Sequence, residues 1–296
     1  MPRILPTELF ALLSKHVGQD SAGMELRWLR AAARDPHHLQ SLVSRRTSGE
    51  PLQYILGTQP FGPLELLTRR PVLIPRPETE HWTLRLAELI HPSSQDPISL
   101  LDLCTGSGCI PLLLCHLWPP GSVQAVGADI SSDAIQLAVE NAHRCGIHVS
   151  TFHSLLRATD SNGNTFTPLL ADIRSLDFAQ SSALRSPFHL ITSNPPYITH
   201  EDYAKLSPSV KAYEDPRALL GDPQPTPYGK GLTFYHDIAK LAAREGFLAR
   251  NGVVAVEVGI GQAEDVQRIF QEEGRLRETE IWRDPWEVQR VVIGRR

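Results

Sequence analysis

"ISLLDLCTGSGCI", residues 98–110, is the stretch on which the fold turns. Ile98–Leu103 is an apolar run of strand length, glycines follow at 106 and 108, and a helical pattern then runs to Trp118. Strand, glycine turn and helix in that order put Gly106 and Gly108 at the carboxyl end of the strand. Open α/β sheets bind their ligands at that edge, and glycine lets backbone approach a ligand closely. The stretch is not G-x-G-x-x-G, because position 111 is Pro, and no Lys-Ser/Thr pair makes it a P-loop. A ligand that packs on the turn without a phosphate fits better than a pyrophosphate. The plain alternative is a tight strand–helix turn that binds nothing.

Outward from this stretch, strands and helices alternate. Val123–Ala128 reads as a strand, Ser132–Cys145 as a helix capped by Ser131 or Ser132, and Val149–Leu155 as a weaker strand. Phe188–Ser193 and Gly252–Val258 are buried strands separated by a helix over Leu232–Ala249. The helix Gln262–Glu273 precedes two strands near Arg277–Trp282 and Val288–Ile293, with no helix between them. The pattern predicts an α/β fold with a doubly wound parallel sheet and a terminal antiparallel hairpin. Upstream, residues 1–50 read as short helices: Leu9, Leu12, Leu13 and Val17 keep helical spacing, and Asp35-Pro36 is a cap followed by a first-turn proline. Residues 51–80 are a Pro-rich linker or hairpin leading to a helix at Thr79–Ile90, and 81–296 form the main domain. Two segments, 157–168 and 221–229, read as mobile turn-forming inserts.

Composition narrows the function. The 296 residues carry a net charge of −4, without the basic excess of a nucleic-acid binder. No apolar run approaches a membrane span, and neither a signal peptide nor a transit peptide is evident. The four cysteines, 104, 109, 115 and 145, make no C-x-x-C pair and have no histidines at zinc spacing. They read as small buried hydrophobes in a reducing compartment, and no metal is expected.

Two acids follow the glycine turn. Asp129 ends the second strand, about 20 residues on, where a carboxylate takes ribose hydroxyls. Asp172, in "LLADI", sits where an acid accepts from an adenine amino group. Each has a structural alternative, a helix cap for Asp129 and a solvated loop acid for Asp172. Together with the glycines they describe a nucleoside without phosphates, of which S-adenosylmethionine is the common example.

"SNPPYI", residues 193–198, ends the Phe188–Ser193 strand on paired prolines that stop helix and central strand alike. The Asn194 side chain and the Pro195 carbonyl offer acceptors on a rigid turn. An amide nitrogen is a poor nucleophile; acceptors on its hydrogens hold it in place and favour charge building on nitrogen. Methyl transfer needs that nitrogen in line with a sulfonium carbon at about 3 Å. Tyr197 can stack on a flat amide or base. The alternative is a Pro-Pro turn with a cap-like Asn.

These segments together resemble the peptide chain release factor N5-glutamine methyltransferase family. "GEPLQYILG" with "VLIPRPETE" resembles the family's linker, and "DLCTGSGCI" its cofactor loop, where Glu-x-Gly is more usual than Asp102-Leu-Cys104. "SNPPYI" resembles its catalytic motif, "YEDPRALLG" (213–221) its Tyr-Glu-Pro segment with Asp215 inserted, and "EVGIGQ" (257–262) its strand end. The resemblance implies a Rossmann-like Class I S-adenosylmethionine-dependent methyltransferase with a small N-terminal helical domain that grips a class 1 release factor. It implies methylation of the glutamine in that factor's Gly-Gly-Gln motif by a monomer, with no direct nucleic-acid or membrane contact. Carried over, Cys104, Thr105, Gly106, Ser107, Gly108, Asp129, Asp172, Ile173 and Asn194 contact cofactor, while Asn194, Pro195, Pro196 and Tyr197 hold the glutamine. Ile173 falls where bacterial members often have Trp beside the adenine. The wording of the linker is closer to fungal mitochondrial members, so a mitochondrial setting is expected over a cytoplasmic one.

The main rival is an adenine N6-methyltransferase on DNA or RNA, because Asn-Pro-Pro-Tyr also serves an exocyclic amine. The negative charge and the lack of a basic recognition domain count against it. A non-catalytic nucleoside-binding scaffold is opposed by the intact Asn194–Tyr197 motif. Two further places admit both structural and functional readings. "IPRPETE" is a stiff entry to a helix or brings Arg76 or Glu78 to the cofactor's methionine end, and Glu257 is a strand-end acid expected on an Arg or a backbone N–H.

Overall fold

A computed structural model describes residues 6–150, 163–224 and 229–296. The chain begins with α1 (Pro6–Val17), α2 (Gln19–Ala32) and α3 (Pro36–Thr47). Asp35 caps α3 by accepting the His38 N–H at 2.9 Å, and Pro36 takes the first position, where no N–H is needed. Leu9, Leu13, Leu26, Leu29, Leu42 and Val43 meet Leu52 and Ile55 of α4 (Leu52–Leu56) in a small core of their own. Buried Glu25 is held there by a two-pronged Arg46 contact at 2.7 and 3.0 Å. A hairpin of β1 (Thr58–Phe61) and β2 (Leu64–Leu67) follows, then α5 (Pro77–Leu89), which starts two residues before the spacing predicts because Pro77 seeds its first turn.

The main sheet is built from β3 (Ile98–Leu103), α6 (Cys109–Leu117), β4 (Val123–Asp129), α7 (Ser132–Arg144), β5 (His148–Val149), β6 (Thr165–Leu170) and β7 (Phe188–Ser193). Two short helices, α8 (His200–Lys205) and α9 (Pro208–Tyr213), lead to α10 (Thr233–Ala243), β8 (Leu248–Glu257), α11 (Ala263–Glu272), β9 (Glu278–Arg283) and β10 (Gln289–Arg295). Among the described residues the strand order is β5-β6-β4-β3-β7-β8-β10-β9. All neighbours are parallel except β10, which runs antiparallel to both β8 and β9. This is the Rossmann-like sheet of Class I S-adenosylmethionine-dependent methyltransferases, terminal hairpin included.

Helices cover both faces, so the central strands carry apolar residues on both faces rather than alternating strictly with polar ones. Leu100, Ala125, Leu190 and Ala255 point into one core with Trp82 and Leu113; Leu101, Val126, Ile191 and Val254 point into the other with Tyr235 and Phe270. Central β3 lies between β4 and β7, and Leu103 is in register with Ser193. The Ser193 hydroxyl donates to the Leu103 carbonyl at 2.7 Å. The glycine turn and the diproline turn therefore leave the sheet side by side at its switch point.

Some expectations need correction. The α10 helix ends at Ala243, not Ala249: Gly246 takes φ 72°, turning the chain so that Leu248 already starts β8. The segment 157–168 is not one insert. Thr165–Pro168 belongs to β6, where Pro168 lies beyond the short β5 and needs no hydrogen on that side. Asn164 is buried and fully bonded, accepting from the N–H groups of Ser122 and Val123 and donating to the Cys115 and Trp118 carbonyls. In 221–229, Gly221 and Asp222 are buried, and Asp222 accepts from the Gly231 N–H and the Thr233 hydroxyl. Residues 157–162 and 225–228, and positions 151–155 of the strand expected at 149–155, lie outside the described residues. Cys109 and Cys115 are buried, whereas Cys104 and Cys145 are only half-buried; all four are free thiols. No helix among the described residues is long and apolar enough to cross a membrane.

Candidate active site

A cavity of about 310 Å³ opens at the carboxyl ends of β3, β4, β6 and β7. Its floor is the glycine turn. Cys104 takes φ 57°, a left-handed conformation rare for a side chain with a Cβ. Gly106 also has positive φ, and a Cβ added there meets nothing within 4 Å. Glycine at 106 thus leaves free space on the cavity wall. Gly108 is constrained differently, its missing Cβ being replaced by Leu112 and Ala138 from the helices. Gly127 in β4, which the sequence reading passed over, has the same kind of role: a Cβ would come within 2.8 Å of the Thr105 hydroxyl beneath the turn.

Asp129 joins the end of β4 to that turn. Its Oδ2 accepts the Gly106 N–H at 2.9 Å and its Oδ1 the Ser131 N–H at 2.8 Å. Burial pushes the carboxyl pKa up, against the pull of these two backbone donors. Each oxygen keeps a second lone pair for a hydroxyl. Asp172 and Ile173 stand at the end of β6 on the same wall, and Asp172 Oδ1 accepts the Arg174 N–H at 2.9 Å. Phe234 of α10 lines the wall beside Ile173 and was not foreseen; nothing in its local sequence marks it, because it arrives from a helix 61 positions downstream. The outer rim combines Pro71–Leu73 with Asp215–Ala218. The two segments are joined by the Asp215 N–H on the Pro71 carbonyl at 2.9 Å and by Arg76 on the buried Glu214. Arg76 is engaged there, and neither it nor Glu78 lines the cavity.

At the diproline turn, Asn194 and Pro196 line the cavity, whereas Pro195 and Tyr197 stand behind the wall. Thr105, Ser107 and Gly108 are likewise behind it. Tyr197 is half-buried and donates its hydroxyl to Glu257 Oε1 at 3.3 Å. Glu257 is 1% exposed and does not meet the expected Arg or backbone N–H; its Oε2 accepts from the Thr79 hydroxyl at 2.6 Å and the Trp82 indole at 2.9 Å. The Asn194 Nδ2 in turn donates to Thr79 Oγ1 at 3.1 Å. Asp102, below the turn, is wholly buried; its Oδ1 accepts from the Thr192 hydroxyl at 2.7 Å, and its Oδ2 has no hydrogen-bond partner. Burial pushes its pKa up to about 7.

S-adenosylmethionine fits this donor set. The void at Gly106 admits a ligand against the backbone, and Asp129 presents unused lone pairs for two hydroxyls. Ile173 and Phe234 give an apolar place for a flat base. The Asn194 amide lines the same cavity.

No family model matches the chain. Individual proteins do. A release factor glutamine methyltransferase of Geobacter sulfurreducens is 37% identical over 287 residues, covering 96% of this chain and 87% of that protein. One from Thermodesulfovibrio yellowstonii is 34% identical over 257 residues, 87% and 80% of the two chains. A probable MRF1 mitochondrial N(5)-glutamine methyltransferase of Schizosaccharomyces pombe is 32% identical over 263 residues, 84% and 76%. Among solved structures, a release-factor-specific protein-(glutamine-N5) methyltransferase from Alicyclobacillus acidocaldarius is 25% identical with a TM-score of 0.40, covering 75% of this chain and 94% of that one. With 37% identity over nearly its whole length, this chain belongs to the release factor glutamine methyltransferase family.

Proposed function

We propose that this enzyme moves a methyl group from S-adenosylmethionine to the side-chain amide nitrogen of the glutamine in the Gly-Gly-Gln motif of a class 1 peptide chain release factor. The observation that carries the reading is the placement of Asn194 at the cavity wall, one strand from the glycine turn and two strands from Asp129. Bound at that turn, S-adenosylmethionine supplies a methyl on a positively charged sulfur. The protein's own residues do the rest. Asp129 holds the hydroxyls, Asp172 and Ile173 the base, and Cys104 to Gly108 shape the floor. The Asn194 oxygen accepts from the substrate amide and aims its nitrogen. Pro195 and Pro196 keep that acceptor from relaxing toward other donors, so orientation is set before the substrate arrives. No strong base is needed before attack, because the product proton leaves afterwards.

The proposal includes a division of labour. Residues 1–50 grip the factor, 51–80 link, and 81–296 carry the chemistry, with the enzyme acting as a monomer. Phe10, Leu12, Met24 and Trp28 leave apolar surface exposed on α1 and α2, which supports that role. A mitochondrial setting is also part of the proposal, supported by the Schizosaccharomyces pombe relative; fractionation of source cells tests it. The substrate is tested with methyl-labelled S-adenosylmethionine and two acceptors, a purified class 1 release factor and an adenine-containing oligonucleotide. Label on the factor supports the reading. Label on the oligonucleotide alone means that Asn194 serves an adenine amine.

A further inference from the structure

We propose that Thr79 is a positioning residue for this reaction: braced by Glu257, it fixes which end of the Asn194 amide faces the cavity. The inference rests on the function proposed above. An asparagine amide has an acceptor end and a donor end of nearly the same shape. Turned one way, Asn194 presents oxygen to a substrate NH₂. Turned the other way, it presents NH₂ to NH₂, and the substrate is repelled.

The network decides between the two. Glu257 is buried, and three donors converge on it: the Thr79 hydroxyl at 2.6 Å and the Trp82 indole at 2.9 Å on Oε2, and the Tyr197 hydroxyl at 3.3 Å on Oε1. The Thr79 and Trp82 hydrogen bonds favour the charged carboxylate, against the burial that raises its pKa, and the contacts at Oε2 are those of an acceptor. Thr79 has a single hydroxyl hydrogen, and Glu257 takes it. What Thr79 turns toward Asn194, at 3.1 Å, is therefore a lone pair, which only the Nδ2 hydrogens can meet. The Asn194 oxygen is left for the cavity, and no donor among the described residues reaches it. Thr79 itself is 1% exposed on the first turn of α5, two positions after Pro77, so the hydroxyl has little freedom to swing away. It acts through Asn194 and touches neither substrate nor cofactor.

The test uses the full-length enzyme, S-adenosylmethionine and a class 1 release factor, comparing wild type with Thr79→Val and Thr79→Ser. Valine keeps the shape and removes the hydroxyl. Serine restores the hydroxyl. Thr79→Val is expected to bind cofactor within about twofold of wild type while kcat falls about 10- to 100-fold, and Thr79→Ser to recover kcat to within about threefold. A loss of packing alone would not be repaired by the smaller residue. If Thr79→Val fails to bind cofactor because it misfolds, Thr79→Ala replaces it in the same comparison. A hydroxyl-less variant that binds cofactor and keeps wild-type kcat overturns the inference, as does a serine variant no faster than valine. A wild-type enzyme that leaves the factor unmethylated overturns the functional reading and the inference together.

Discussion

Replacing Asn194 by alanine removes the acceptor proposed for the substrate amide and leaves the glycine turn and Asp129 untouched. Asn194→Ala is expected to lower kcat at least about 100-fold, the usual loss on deleting one group that stabilises developing charge. Its S-adenosylmethionine affinity is expected to stay near wild type in calorimetry; an equal loss of both would contradict the assignment. Asp129→Ala has the opposite signature. It strands two ligand hydroxyls and frees the Gly106 and Ser131 N–H groups, so cofactor binding is expected to weaken by about 1–3 kcal/mol. Unchanged calorimetric affinity would remove Asp129 from the site. Both residues were legible in the sequence because each ends an apolar strand, and strand ends of a parallel sheet gather at one edge. Thr79 and Glu257 were not. They lie 178 positions apart, and only the folded sheet brings the first turn of α5 under the end of β8. Local sequence put the first at the start of a helix and suggested an Arg or a backbone N–H for the second, and contains nothing about their contact.

Among the elements, the turn after β7 is held in a close-packed seat. The Gln262 amide donates to the Tyr197 and Lys230 carbonyls at 2.9 and 2.7 Å, and its oxygen accepts the Gly259 N–H at 2.9 Å. Glycines complete the seat: a Cβ at Gly221 would lie 2.5 Å from the Gly231 carbonyl oxygen and 2.8 Å from Tyr197 Cα. Backbone cannot yield as a side-chain tip does. Gly221→Ala is expected to cost about 1–3 kcal/mol in urea unfolding and to reduce kcat more than cofactor affinity. Unchanged stability would show that the seat is looser than described. At the far end of the chain, Trp28 is half exposed on α2. Trp28→Ala is expected to raise KM for the release factor several-fold and leave cofactor affinity alone; an unchanged KM would mean that α2 does not meet the factor. The elements themselves were largely readable, since strand and helix periods differ and Pro77 and Ser131 mark helix starts. The misplacements came where a tertiary contact overrides the local signal. Pro168 looked like a loop residue yet sits in β6, and the 221–229 segment looked solvated yet buries Gly221 and Asp222.

For the molecule as a whole, the buried carboxyl beneath the glycine turn sets a pH dependence. The Asp102 pKa is raised to about 7 in the fold from the 3.8 of the free side chain. Between these values the folded state binds a proton that the unfolded chain has lost. The group's contribution to stability therefore declines as pH rises through this window, by roughly 1.4 kcal/mol per pH unit at most, and levels off above about pH 7. Asp102→Asn is expected to remove this slope, so that the variant gains on wild type between pH 5 and 7 in urea unfolding; parallel curves would contradict the assignment. The sheet order explains why this acid, the glycine turn and Asn194 share one neighbourhood: β3 and β7 are adjacent at the switch point, and both ligand-facing turns leave from their ends.

The most direct test is mass spectrometry of a class 1 release factor after incubation with the enzyme and S-adenosylmethionine. The account predicts that the peptide containing Gly-Gly-Gln gains the mass of one methyl group in place of hydrogen, that fragmentation places it on the glutamine side chain, and that Asn194→Ala leaves the peptide unmodified. An unmodified peptide with active cofactor-bound enzyme, or methyl found on any other residue, would contradict it.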